Sequence, residues 1–207
     1  MMKRNILTLL VLVALLMPAA LRAAGPSASS ILAQMRKSML AKPAVEAQFT
    51  INGADGAVQG SALMAGAAFA FTTPQLDVWF DGRTQWVFLH STGEVSITEP
   101  TADELATTNP FVVLSAYDTH YTSRRLPDSS GRRRVELVPR DADSGIRSIT
   151  VIADTPGNWP QAIIVDLDSG ERIHMVIDRI AGRAKPADTA FRYDARLHPA
   201  SEIIDLR

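Results

Sequence analysis

The stretch VWFDGRTQWVF, residues 78–88, decides the fold class of this chain. Two short apolar runs flank an Asp-Gly dipeptide, which is typical of the tight turn between antiparallel strands. Because side chains alternate along a strand, Val78 and Phe80 share one face of the first run, and Trp86 and Phe88 share one face of the second. The stretch therefore predicts a β-hairpin that presents large apolar side chains.

Further short apolar runs lie on both sides of this hairpin. Most of them follow one another directly, separated by turns rich in Gly, Pro, Asn and Asp, and this order favours an antiparallel meander over βαβ units. The chain is thus expected to form about ten strands in one domain of the α+β class. The predicted strands cover residues 45–51, 60–64, 67–72, 77–80, 84–89, 94–98, 135–138, 146–153, 161–166, 173–180 and 191–193.

Three helices are predicted beside the strands. Ser29 or Ser30 can cap a helix that runs to about Lys42, where a proline stops it. The T-x-x-E pattern at 101–104 is a capping box, and the Asn-Pro pair at 109–110 predicts a further helix start. The residues after this last start are mostly apolar, so that helix must cover an apolar surface or be covered itself.

A polar segment at residues 118–134 separates the last predicted helix from the later strands. It carries five arginines, which lie at positions 124, 125, 132, 133 and 134. The segment predicts a solvated loop that leads into a basic strand. A lipid headgroup or an acidic partner is the alternative role for these arginines.

The first 24 residues have the order of a secretory signal peptide. Lys3 and Arg4 precede an apolar run at residues 6–16, and small residues follow it. The run is shorter than the about 20 residues of a membrane-spanning helix, although an uncleaved anchor is the alternative. We expect residues 1–24 to be removed on export to the periplasm, which leaves residues 25–207 as a single domain.

Removal of this leader changes the charge of the chain. Three of the 21 basic residues lie in it and none of the 22 acidic ones, so 18 basic residues face 22 acidic ones, a net charge of −4. Nucleic-acid binders gain most of their affinity from cations that meet phosphates. The charge therefore argues against a nucleic-acid partner.

Patterns for covalent or metal chemistry are few. The chain has no cysteine, so it has no thiol nucleophile, thiolate metal site or disulfide. No two histidines stand four residues apart, and the G-x-S-x-G nucleophile motif is absent. Two Asp-containing segments, 141–145 and 166–171, lack the twelve-residue calcium loop and are predicted as turns. The residues thus give no support for an enzyme, although one stays possible, and we expect a protein that is not an enzyme and that holds no metal.

Several motifs in a fixed order carry a family resemblance. They are the hairpin at 78–88, EVSITEP at 94–100, Glu-Leu at 104–105, Asn-Pro-Phe at 109–111, His-Pro at 198–199 and EIIDLR at 202–207. In this order they resemble the outer-membrane lipoprotein carrier (LolA-like) family, and within it a divergent branch of outer-membrane lipoprotein chaperones. The resemblance runs from about Ser29 to Arg207. One departure is that the strand at 63–69 has no arginine, whereas an early-strand arginine latches the helical lid of better-studied carriers.

The resemblance implies a fold and a function. The implied fold is an unclosed, strongly curved antiparallel β-barrel whose helices cover a concave apolar face. The implied function is to carry acylated lipoproteins from an inner-membrane exporter to an outer-membrane acceptor, as a periplasmic monomer with no cofactor. Burial of one methylene stabilises by about 0.8 kcal/mol, so an acyl chain needs a dry cavity before it can leave a bilayer.

We expect acyl chains to contact apolar side chains from both layers of this fold. The expected residues are Phe49, Ile51, Phe69, Phe71, Val78, Phe80, Trp86 and Phe88 on the sheet, and Met35, Met39, Leu105, Phe111 and Leu114 on the helices. Two alternatives stay open. One is an envelope sensor or scaffold that binds lipoproteins or lipids without moving them. The other is a secreted hydrolase built on His120 or His174.

Overall fold

The computed structural model describes residues 25–53, 56–101, 104–105, 109–155 and 159–207, and most of these residues are extended. The strands are β1 (Ala44–Gly53), β2 (Gly56–Ala65), β3 (Ala68–Thr72), β4 (Leu76–Phe80), β5 (Gln85–Leu89), β6 (Glu94–Thr98), β7 (Tyr121–Ser129), β8 (Arg132–Pro139), β9 (Ile146–Ala153), β10 (Pro160–Leu167), β11 (Arg172–Arg183) and β12 (Glu202–Asp205).

All twelve strands belong to one sheet, in the order β12-β6-β5-β4-β3-β2-β1-β11-β10-β9-β8-β7. Two antiparallel meanders, β1–β6 and β7–β11, meet where β1 pairs with β11. The short β12 adds in parallel to β6. Because β12 and β7 stand at opposite ends of this order, the sheet is a barrel that does not close. The predicted α+β fold, an unclosed and curved antiparallel barrel with helices, is confirmed.

Within the described residues, two complete α-helices lie on the face of the sheet that carries the core, and residues 104–105 are helical as well. The remainder of the helix predicted after the capping box at 101–104 lies outside the described residues. Helix α1 (Ala28–Leu40) packs against β1, β7 and β8 and against α2 (Val113–His120), which follows a 3₁₀ turn at Pro110–Val112. The connection that contains α2 leads from β6, next to one edge of the sheet, to β7 at the other edge. Among the described residues, no helix reaches the length and hydropathy that a membrane crossing requires.

Helix α1 begins slightly earlier than the sequence predicts. The side chain of Ser27 caps it by accepting a hydrogen bond from the backbone N–H of Ser30 at 3.1 Å. Its apolar stripe, with Ile31, Leu32 and Met35, is buried as expected. The helix ends at Leu40, before the predicted end at Lys42.

The prediction of a solvated loop at 118–134 is wrong. Residues 118–120 complete α2, and β7 and β8 form a hairpin from Tyr121 onward. Its two-residue turn consists of Ser130 and Gly131, both with positive φ, as the hairpin turns that match strand twist require. The arginines are compatible with a strand because β7 is an edge strand that exposes most of its side chains to solvent, so its sequence resembles that of a solvated loop.

The C-terminal region also differs from the prediction. Residues 191–193 are predicted as a strand, but Phe191 is the last residue of a 3₁₀ turn at Asp188–Phe191 and residues 192–193 follow it without regular structure. Phe191 is buried, so it behaves as a single apolar anchor and not as part of an alternating strand. The last strand is β12, which the sequence prediction did not count, because four residues give too short an alternating pattern.

Candidate functional site

The inner face of the sheet is apolar because every second residue of the central strands points toward the helices. Phe49 on β1, Phe71 on β3 and Val78 on β4 belong to the buried core together with Leu32 and Met35 of α1. The rings of Phe49 and Phe71 stack with centroids 4.7 Å apart. This part of the interior is occupied by the protein's own side chains.

The interior beneath strands β8–β11 is filled in the same way. Large apolar side chains from each of these four strands are fully buried, namely Leu137, Ile149, Val151, Ile163, Val165 and Met175. Protein interiors packed like this leave few voids larger than a water molecule. Space for a ligand therefore has to lie elsewhere under the helices.

A cavity of about 420 Å³ lies between the C-terminal end of α1, the β2–β3 turn and the segment that leads into α2. Pockets for small ligands range over about 300–1,000 Å³, so this cavity is at the lower end of that range. Its lining is mostly apolar. It consists of Arg36, Met39, Leu40, Lys42, Val45, Met64, Gly66, Ala67, Ala68, Phe69, Phe80, Leu105, Asn109, Phe111, Val112 and Leu114.

The structure brings six of the thirteen expected site residues to this cavity. They are Met39, Phe69, Phe80, Leu105, Phe111 and Leu114. Met35, Phe49, Phe71 and Val78 are buried in the filled part of the core, and Ile51 packs against it from the far end of β1. Contact of any of these residues with a ligand stays a prediction.

The remaining two expected residues, Trp86 and Phe88, lie on the opposite face of the sheet. Phe80 pairs with Gln85 and Val78 pairs with Val87, so the inward positions change from even numbers on β4 to odd numbers on β5. The expectation that Trp86 and Phe88 supply inner surface is therefore wrong. Alternation predicts two faces, but only the pairing register across the turn decides which face is inside.

The outer face of this hairpin is covered by the C-terminal segment. The ring of His198 lies 4.5 Å from that of Phe88, and Tyr193 meets Trp79 edge-on at 5.8 Å. A salt bridge of 3.0 Å between Arg192 and Asp81 attaches the same segment to the hairpin turn. The outward-facing aromatic residues Trp79 and Phe88 thus contact the C-terminal segment, whereas Phe80 faces inward and lines the cavity.

Sequence reasoning left ten lining residues out of the expected site. Val45 could have been included, because it shares the alternating face of Phe49. Met64 belongs to the same face, because it pairs directly with Val45 and Phe69. The polar residues Arg36, Lys42 and Asn109 gave no signal, because their place at the cavity depends on elements distant in sequence.

Asn109 is the polar residue buried deepest in this lining, with 0% of its surface exposed. Its Oδ1 caps the following 3₁₀ turn by accepting a hydrogen bond from Phe111 N at 3.1 Å. Its backbone N–H donates to the carbonyl of Leu105 at 2.7 Å, and its own carbonyl accepts from Val112 at 3.0 Å. Within the described chain the amide Nδ2 has no acceptor. An unpaired buried donor costs about 1–3 kcal/mol.

The two cations of the lining are more exposed. Arg36 forms an ion pair with Asp118 of α2 at 3.3 Å, which connects the two helices. Both side chains of the pair are more than one-third exposed, so it contributes little to stability. Lys42 lies two residues after the end of α1 and is exposed. Positive charge therefore stands at the solvent side of an otherwise apolar space.

A different arginine ties helix α1 to the sheet. Arg125 on β7 donates a hydrogen bond of 3.0 Å to the carbonyl of Pro26, one residue before the helix cap. The same guanidinium pairs with Asp128 at 2.9 Å. Residues 63–69, which form the β2–β3 turn and the strand ends beside it, contain no arginine. Arg125 instead contacts the residue before the N-terminal cap of α1, from the edge strand β7.

The groups that a hydrolase would need are not assembled around His120 or His174. Within the described residues, the side chains of His120 and His174 form no hydrogen bond or salt bridge. A histidine–carboxylate contact does exist between His90 and Asp77 at 2.8 Å, at the ends of strands β4 and β5. In the same described residues, no three histidines and carboxylates gather as a metal site.

The fold and the cavity define a class of protein: an unclosed antiparallel β-barrel whose helices leave an apolar hollow beside a filled core. A family model described as "Outer membrane lipoprotein carrier protein LolA" matches residues 22–166. The chain belongs to this family, and the resemblance in its sequence motifs is confirmed. A comparison with curated protein sequences found no match.

Solved structures resemble this chain at low sequence identity. An uncharacterized conserved protein from Thermus thermophilus has a TM-score of 0.57 and 10% identity, over 86% of this chain and 98% of that one. A DUF1329 family protein from Desulfovibrio piger has a TM-score of 0.50 and 8% identity, over 80% and 95%. A LolA superfamily protein from Nitrosomonas europaea has a TM-score of 0.47 and 15% identity, over 82% and 99%. At these identities the likeness concerns the fold alone.

Proposed function

We propose that this protein is a periplasmic chaperone that binds acyl chains of lipoproteins, or of related lipids, in the cavity beside α1 and carries them from the inner to the outer membrane. Residues 1–24 direct export and are removed. The cargo arrives from an inner-membrane exporter and is passed to an outer-membrane acceptor. No covalent step is part of this function.

The observation that carries the proposal is an apolar cavity of about 420 Å³ in a member of a lipoprotein-carrier family. A water molecule occupies about 30 Å³ in the liquid and a methylene is of similar size, so the cavity has room for one chain of about 14 carbons. Burial of about 14 methylenes at about 0.8 kcal/mol each offsets most of what the chain loses on leaving a bilayer.

The first test compares two tryptophan substitutions. Val112→Trp places a large ring in the cavity, whereas Val138→Trp adds the same ring at an exposed position on β8. Laurate binding, measured by displacement of the apolar dye N-phenyl-1-naphthylamine, is expected to weaken at least about tenfold in Val112→Trp and to stay unchanged in Val138→Trp. Equal binding by both variants would place the ligand outside this cavity.

The second test follows cargo in cells. Native mass spectrometry of the protein purified from the periplasm without detergent is expected to show a co-purifying acyl species. Deletion is expected to retain a subset of lipoproteins in the inner-membrane fraction. A deletion strain that changes an envelope stress response but localises all lipoproteins correctly would favour the sensor or scaffold alternative. Absence of any acyl species from the purified protein would count against the carrier.

A further inference from the structure

We infer that the Nδ2 amide of Asn109 is the polar anchor of the cavity, and that it donates a hydrogen bond to the carbonyl or carboxylate oxygen at the head of a bound acyl chain. The inference rests on the proposed function, because it assumes that the cavity holds such a chain. It adds the residue that positions the ligand and the chemical group that this residue recognises.

The first argument is hydrogen bonding around Asn109. Its Oδ1, backbone N–H and backbone carbonyl all have partners within the neighbouring turns, with Phe111, Leu105 and Val112 respectively. In the part of the chain that the structure describes, Nδ2 alone is left without one. Buried polar groups in native proteins are nearly always paired, so this donor needs a partner that a ligand can supply.

The orientation of the amide is fixed by its own contacts. Phe111 N is a donor and must face the carbonyl oxygen of the Asn109 side chain, so the NH₂ group has to occupy the other position. A flipped amide would set two donors against each other and leave the oxygen unpaired. The free group is therefore a donor, and it selects ligands that carry an acceptor oxygen.

The second argument is the surroundings of this donor. Asn109 lines the cavity together with Phe80, Leu105 and Phe111, whose side chains are apolar. An acyl chain has the matching pattern, since it is apolar along its length and carries acceptor oxygens at one end.

Two substitutions at position 109 test the inference. Asn109→Ser and Asn109→Asp both keep an oxygen that can cap the 3₁₀ turn, and both remove the Nδ2 donor. Asn52→Ser on the exposed end of β1 is the matched control. Urea unfolding of each variant checks that the cap and the fold persist.

The probes are laurate, methyl laurate and dodecane, which share a chain length and differ in the head group. Each is measured by displacement of N-phenyl-1-naphthylamine from protein purified from the periplasm. In Asn109→Ser we expect about tenfold weaker binding of a probe whose oxygen is anchored and unchanged binding of dodecane. Asn109→Asp is expected to weaken laurate binding further, because two carboxylates then repel each other.

The three probes distinguish which chemical group of the ligand Asn109 binds. A loss with methyl laurate and laurate assigns an acyl carbonyl as found in lipoproteins and phospholipids, and a loss with laurate alone assigns the carboxylate of a free fatty acid. An equal loss with all three probes, or none with any, would overturn the role of Asn109. Failure of all three probes to displace the dye from the wild-type protein would instead count against the proposed function.

A measurement on the wild-type protein keeps the inference testable even if both variants misfold. Methyl laurate with a ¹³C-labelled carbonyl is bound, and its infrared carbonyl stretch is compared with that in hexane. A shift to lower frequency is expected when Nδ2 donates to the carbonyl. A stretch equal to that in hexane would show a carbonyl without a donor and would overturn the inference for acyl esters.

Discussion

At the scale of single residues, the packing of the inner face depends on a glycine, which leaves room for a phenylalanine ring from the neighbouring strand. Gly60 on β2 pairs with Phe49 on β1, whose ring lies over the glycine. A Cβ at Gly60 would meet this ring and would lie 2.6 Å from the backbone carbonyl oxygen of Thr72. We expect Gly60→Ala to lower the free energy of unfolding by about 1–3 kcal/mol, because the backbone cannot move aside without strain.

Urea unfolding measures this change, and Gly53→Ala is its control on the neighbouring strand. A Cβ at Gly53 meets no atom within 4 Å, so its effect is expected to stay within about 0.5 kcal/mol. Superimposable unfolding curves for Gly60→Ala and the wild type would contradict close packing of Phe49 on β2.

The residue scale also shows what the sequence could predict about the site. Phe69 and Phe80 were expected at the site and line the cavity, because large apolar residues at alternate positions mark a buried face. Trp86 gives the same signal but lies on the other face, where it pairs with Trp79. Asn109 was predicted as a helix cap and is one, yet nothing in its neighbourhood predicts that its Nδ2 has no partner.

At the scale of elements, the connection after β6 begins with a capping box. The carboxylate of Glu104 accepts hydrogen bonds from the backbone N–H of Thr101 at 2.7 Å and from its hydroxyl at 2.9 Å. These bonds, the backbone one first, lower the pKa of Glu104 from its ordinary value of 4.5. Because the folded-state pKa is the lower one, the stabilisation by ionised Glu104 is present above the unfolded-state pKa and is lost as the pH falls through the folded-state pKa.

We expect a carbon-13 NMR titration of the Glu104 carboxyl to give a midpoint below 4.5 in the folded protein. Thr101→Val removes the hydroxyl but keeps the backbone donor, so it is expected to raise the pKa of Glu104 only part of the way toward 4.5. The same titration in concentrated urea supplies the unfolded reference. Coincident midpoints in the folded and unfolded states would show that the box does not form.

The elements differ in how well their sequences predict them. Caps and turns are local, so the box at Thr101 and the Asn109–Pro110 start appear as predicted. The edge strand β7 does not appear in the sequence pattern, because a strand with one neighbour and few buried residues keeps no alternation. Of its two arginines, Arg124 is exposed and Arg125 is half-buried, and Arg125 donates a hydrogen bond to the residue before the cap of α1.

At the scale of the whole molecule, the barrel has two parts: the interior beneath β8–β11 is filled with side chains, and the cavity lies outside that filled part. Strands β8–β11 are packed with fully buried side chains, whereas the C-terminal end of α1, the β2–β3 turn, Leu105 and the segment at 109–114 surround the cavity. The wall residues Phe69, Phe111 and Leu114 belong to the buried core but border an empty space on one side. Local opening costs less free energy where apolar contacts are fewer, so the wall is expected to open without unfolding the filled part. This separation would allow a ligand to enter and leave while the fold persists.

Hydrogen–deuterium exchange tests this separation. Amides of β9 and β10 are expected to stay protected over hours, and those of the wall, at residues 64–69 and 109–114, to exchange within minutes. Saturating laurate binds only the folded site, so it is expected to slow exchange of the wall at early times, when β9 and β10 have not yet exchanged. If laurate instead protected the β7–β8 hairpin first, the ligand would lie at the basic edge of the sheet. If the wall and the filled part exchanged at equal rates without laurate, the barrel would open only as one unit.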